Sequence, residues 1–103
     1  MNRLVLDATL AQRGAVRYTP AGLPALDLVL EHRSELSENG APRKVSLEIK
    51  ALGIGQIVQP LGALALGSTG TFAGFLASAR NGRGLLFHIT AFDPEPDSTS
   101  TVS

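Results

Sequence analysis

Lys44-Val45-Ser46-Leu47-Glu48-Ile49-Lys50, "KVSLEIK", decides the fold class. Val45, Leu47 and Ile49 alternate with Lys44, Ser46, Glu48 and Lys50. Successive side chains of a strand leave opposite faces, so this spacing yields one apolar face and one charged face. The segments around it repeat the pattern. Upstream, Leu26, Leu28 and Leu30 face one way while Asp27, Val29, Glu31 and Arg33 face the other. At the start, Leu4, Leu6, Ala8 and Leu10 share a face opposite Val5, Asp7 and Thr9, as a half-buried strand requires. Downstream, "STGTFAGFLAS" (68–78) and "GLLFHITAF" (84–92) complete a set of five strands. The chain reads as all-β.

The connections differ in kind. "TPAGLP" (19–24), with two prolines and a glycine, signals a turn between the first and second strands. "SELSENGAP" (34–42) reads as a long polar loop in which Asn39-Gly40 can supply positive φ angles. "RNGRG" (80–84) reads as a short hairpin turn between the fourth and fifth strands. "LGIGQIVQPLGALALG" (52–67) is the one segment without alternation; Pro60 can open a helix of at most one or two turns that runs to Leu66 and ends at Gly67. Five strands with a short helix between the third and fourth match the oligonucleotide/oligosaccharide-binding (OB) barrel, with a β-sandwich fragment as the competing fold. In the barrel, Gly14 is expected where a long first strand bends, and Gly70 and Gly74 where the fourth strand curls.

Size and composition bound the rest. The chain has 103 residues, enough for one small domain over 1–92, followed by a tail over 93–103 whose Pro, Ser, Thr and acid content reads as disordered. It has no cysteine, which excludes disulfides, thiolate zinc sites and a cysteine nucleophile. The start "MNRLVLDATLAQR" lacks the pattern of a signal peptide, and glycines and Pro60 break the longest apolar-rich run, 51–66, so no membrane span and a cytoplasmic location are expected. Nine Lys plus Arg balance nine Asp plus Glu. Asp93, Glu95 and Asp97 lie in the tail, which leaves 1–92 with nine bases against six acids, a body of +3. That excess limits any phosphate-binding role to a local patch.

Cations on one barrel face can track a phosphate backbone. The candidates are Arg17, Arg33, Arg43, Lys44, Lys50, Arg80 and Arg83, the last two flanking Asn81-Gly82 in the hairpin. Tyr18, beside Arg17, is the best-placed aromatic for stacking on a base; Phe72, Phe75, Phe87 and Phe92 lie in strands and are read as core. "EHRS" (31–34) invites a catalytic reading with His32 as base and Ser34 as nucleophile. Alternation opposes it, because Glu31 and His32 leave opposite faces. His32 instead continues the leucine face as a hydrogen-bonded core-edge or interface residue. No catalytic residue, metal-ligand cluster or cofactor is expected.

Three segments carry a family likeness: "NRLVL" (2–6), "TPAGLPALDLVLEHRS" (19–34) and "GFLA" (74–77). With their spacing they resemble primosomal replication protein N, the PriB group, a single-domain relative of bacterial single-stranded-DNA-binding protein. The resemblance implies a homodimeric OB fold that binds single-stranded DNA without cutting it. It also implies contact with a PriA-type restart helicase and other primosome components during replication restart. By that likeness the DNA-contacting positions are Arg17, Arg33, Arg80 and Arg83, which join Tyr18 and Lys44 as the expected site. Some members carry a stacking aromatic in the third strand; the aligned residue here is Ser46, which implies weak, salt-sensitive binding. Two alternatives stand beside this reading: a protein–protein adaptor whose DNA contact is incidental, and an RNA-binding barrel. An exposed Val5 on a long first strand is the physical hint of dimerisation, since open strand edges tend to be covered by pairing.

Overall fold

The computed structural model describes residues 1–79 and 82–94. Six strands carry the fold: β1 (Leu4–Arg13), β2 (Arg17–Tyr18), β3 (Pro24–Glu38), β4 (Ala41–Ile54), β5 (Thr69–Ser78) and β6 (Leu85–Pro94). They form one sheet in the order β1-β5-β6-β4-β3-β2, and β3 returns to pair with β1. That last pairing closes β1, β5, β6, β4 and β3 into the OB barrel. All neighbours run antiparallel except β4 and β6, which meet in parallel at Ala51/Phe87 and Leu52/His88.

Period-2 patterning overrides local propensity in β3. Ala, Leu, Glu and Arg are helix formers, yet Leu26, Leu28 and Leu30 recur every second residue and only a strand puts them all inside. They meet Leu10, Phe72, Phe87 and Ile89 in the core. Phe72 is fully buried and its ring centroid lies 4.6 Å from that of Phe92, at a 40° tilt. A short 3-10 turn (Gly55–Ile57) leads into α1 (Val58–Gly62), whose Val58 and Leu61 plug one end of the barrel. The helix therefore begins before the proline rather than at it. Pro60 sits in the first turn, where the missing N–H has no intrahelical partner to lose.

Two other expectations need correction. The polar loop of 34–42 is a hairpin: β3 and β4 stay in register out to Glu38/Ala41 and turn through Asn39-Gly40, both at positive φ (52° and 79°). This is the two-residue turn that matches strand twist. The first strand bends at a bulge between Leu10 and Gln12, not at Gly14, whose amide donates to the Asp27 carbonyl at 2.9 Å. At Gly70 and Gly74, expected where the fourth predicted strand curls, the backbone does come close to its neighbours. A Cβ on Gly74 would run into the His88 carbonyl oxygen beside the β5–β6 bulge, and one on Gly70 would lie 2.5 Å from the Phe92 ring. β6 continues through Pro94, and the expected tail from 95 on lies outside the described residues. Among the described residues no helix is long and apolar enough to cross a membrane.

Candidate nucleic-acid interface

Residues directly opposite on antiparallel strands share a face. On β3 and β4 the outward rows are Asp27/Leu52, Val29/Lys50, Glu31/Glu48, Arg33/Ser46 and Glu35/Lys44. Arg33, Lys44 and Lys50 thus stand on one face, all exposed. Arg33 and Lys44 are diagonal neighbours on the ribbon that β3 and β4 extend beyond the barrel. Ser46, directly opposite Arg33, carries no ring for a base to stack on.

Arg17 reaches the same face from β2, but its guanidinium is engaged. Nε and Nη2 donate to the two carboxylate oxygens of Asp27, at 3.0 and 3.2 Å. Those hydrogen bonds, and then the charge of Asp27, push the arginine pKa up from its ordinary value. Asp27 and Arg33 are six residues apart on β3, roughly 20 Å at ~3.3 Å per residue. Tyr18 is 70% exposed on β2, but adjacent strand residues leave opposite faces, so it does not join Arg17 over Asp27. Arg83 is exposed at the β5–β6 connection, while Arg80 lies outside the described residues. Arg43 stands on the other face of the ribbon, opposite Leu36, with Nε 3.7 Å from a Glu38 carboxylate oxygen.

Acids divide this basic face. Glu31 and Glu48 oppose each other between the Arg33 and Lys50 rows. Strand periodicity shows that each points outward, but only the inter-strand register reveals that they meet. Like charges directly opposite are unfavourable, and here they repel any phosphate that passes between the two cations. Beside them, Asp7, Thr9, Glu31, Arg33, Thr71 and Asp93 line a polar trough of about 750 Å³ across β1, β3, β5 and β6, where Thr71 Oγ1 donates to Asp7 Oδ1 at 2.6 Å.

"EHRS" is a clasp. His32 Nδ1 lies 2.6 Å from the Asp7 carbonyl, beyond the point where the β1–β3 ladder ends at Thr9/Glu31. Nδ1–H is therefore the donor, and Nε2 accepts from the Ser34 hydroxyl at 2.9 Å. The contact with Asp7 ties β3 to β1, the contact with Ser34 fixes the ring within β3, and Arg33 is left projecting from the outer face. The core-edge reading of His32 is the one this geometry matches.

Phe72 and Phe87 are buried as expected, but Phe75 is not a core residue. It faces outward from β5, 39% exposed, and stacks on His88 of β6 with centroids 4.8 Å apart and planes 10° from parallel. The signal was present in "FAGF": residues three apart on a regular strand leave opposite faces, so Phe72 and Phe75 cannot both point inward.

Residues 2–91 match the model of a family described as another single-strand binding protein family. The chain is 49% identical over 80 residues to replication restart protein PriB of Bordetella pertussis, covering 78% of this chain and 75% of that protein. It is 40% identical over 76 residues to replication restart protein PriB of Neisseria gonorrhoeae, covering 74% and 75%. Among solved structures, PriB of Ralstonia solanacearum superposes with a TM-score of 0.83 at 38% identity, over 91% of this chain and 97% of that one. The single-stranded DNA binding protein of Thermus aquaticus superposes with a TM-score of 0.75 at 26% identity, over 96% of this chain and 52% of that one.

Proposed function

The chain belongs to the PriB group of the single-strand binding protein family, and from that premise we propose that it binds single-stranded DNA in replication restart. The observation that carries this reading is the outer face of β3 and β4, which Arg33, Lys44 and Lys50 share, with Arg83 exposed at the β5–β6 connection. Cations so arranged gain affinity by releasing counterions from phosphates, without reading sequence. Binding is weak, because Asp27 neutralises Arg17, Glu31 and Glu48 split the face, and Ser46 offers no stacking. The protein works in the cytoplasm and catalyses no reaction.

In the same reading the protein steadies a PriA-type restart helicase on its DNA, together with other primosome components, and works as a homodimer. Support for the dimer comes from β1. Its residues Leu4 to Ala8 pair with β5 on one side, β3 takes up the other side only from Thr9, and Val5 is 51% exposed. Fluorescence anisotropy with labelled single- and double-stranded oligonucleotides, with and without the helicase, tests the proposal. Preference for the single strand, strengthened by helicase, is the expected result; equal binding to duplex overturns it.

The interleaved acids favour a second reading, an adaptor whose DNA contact is incidental. The double substitution Arg33→Glu with Lys44→Glu separates the two. Loss of helicase stimulation together with DNA binding supports DNA binding as the main role, whereas stimulation that survives supports the adaptor. An RNA oligomer of the same sequence, bound more tightly than DNA, would move the assignment to RNA.

A further inference from the structure

We propose that the Phe75–His88 pair is a stacking platform for a nucleobase of single-stranded DNA, on the outer face of β4, β5 and β6. The proposal rests on the DNA-binding reading above and adds a site to it. The two rings are already parallel at 4.8 Å, and Phe75 keeps 39% of its surface exposed. A third flat ring placed on the phenylalanine continues the stack, and stacking of this kind is indifferent to base identity.

The surroundings fit a nucleotide. Ala73 and Ala77 flank Phe75 along β5, and Ala91 lies opposite Ala73 on β6, so the phenyl ring stands above a low floor. Cations border the floor on both sides. Asn2 hydrogen-bonds both backbone groups of Leu76 through its side-chain amide, at 2.6 and 2.9 Å, which carries the β1–β5 register past Leu4/Gly74 and sets exposed Arg3 beside Phe75. On the other side, Leu52 adjoins His88, and Lys50 stands two residues before it on β4.

Charge chooses the occupant. The sheet's outer face is polarised: Asp7, Asp93 and Glu31 gather at the polar trough, whereas Arg3 and Lys50 border the aromatic pair nearer the β5–β6 hairpin. An apolar protein surface gains nothing from two exposed cations on either side of the rings, but a strand of phosphates does. A path from Lys50 over Phe75 to Arg3 also keeps clear of the acidic trough.

The test uses the full chain and a thymidine oligomer carrying one 5-iododeoxyuridine, cross-linked by near-ultraviolet light, with the attached peptide identified by mass spectrometry. The expected result is a cross-link at Phe75 or His88. Phe75→Leu, which keeps the apolar contact and removes the flat ring, should weaken binding about five-fold or more while leaving the melting temperature nearly unchanged. Cross-links confined to other residues overturn the platform, as does Phe75→Leu binding at the wild-type level. A change of assembly mass in Phe75→Leu without loss of affinity assigns the face to a second copy of the chain and also overturns it. Failure of the wild type to bind the oligomer at all is a different result, which overturns the DNA-binding reading itself.

Discussion

The dependence of DNA affinity on salt should count the cations of the outer face. Arg33, Lys44 and Lys50 stand exposed there, while the guanidinium of Arg17 is held by Asp27. Each phosphate neutralised on a single strand contributes about 0.7 to the slope of log affinity against log salt, so three contacts give a slope of about −2. Between 50 and 200 mM salt that slope means about a 20-fold loss of affinity. Lys44→Ala removes one contact, and its loss over the same interval should fall to about seven-fold. Glu48→Lys replaces a repelling group with an attracting one in the middle of the face, and its loss should rise to about 50-fold. Anisotropy titrations of a thymidine oligomer at a series of salt concentrations measure all three slopes. Identical slopes for wild type, Lys44→Ala and Glu48→Lys would refute the assignment of this face, however tightly the protein bound.

Three further outcomes follow from the geometry. Asp27→Asn releases Arg17, so low-salt affinity should rise and the slope should steepen by about 0.7, read in the same titration. Gly74→Ala drives a methyl into the His88 carbonyl at the β5–β6 bulge; overpacking of this kind costs about 1–3 kcal/mol, and the melting temperature, followed by circular dichroism, should drop by at least several degrees. His32→Ala removes the hydrogen bonds to the Asp7 carbonyl and the Ser34 hydroxyl, a loss of about 0.5–1.5 kcal/mol at this partly exposed edge, and amide exchange should quicken where β1 leaves β3.

The barrel was legible because its interior strands are amphipathic: Leu26, Leu28 and Leu30, or Leu4 to Leu10, have a single face that avoids water. The ribbon was not, since beyond Ser34 and Val45 both faces meet solvent and hydrophobic alternation has nothing to report. Its one local signal, Asn39-Gly40, pointed to a turn without showing how far the paired strands ran on either side. The site was half legible for a related reason. Period-2 reading assigned Lys44, Lys50 and Arg33 to outward faces, but the salt link of Arg17 to Asp27 and the meeting of Glu31 with Glu48 depend on register between strands. Phe75 departs from the core expectation because hydrophobicity carries no parity, whereas its odd spacing from Phe72 turns it outward.

The clasp made by His32 has a bearing on self-association. Along the open margin of β1, the Asp7 carbonyl already receives a proton donor from the chain's own imidazole. An incoming strand that zips along this margin from the amino terminus meets an occupied acceptor at residue 7 and must halt there or evict the ring. In the proposed dimer, one intramolecular bond would thereby act as a ruler for how far two molecules could slide past one another.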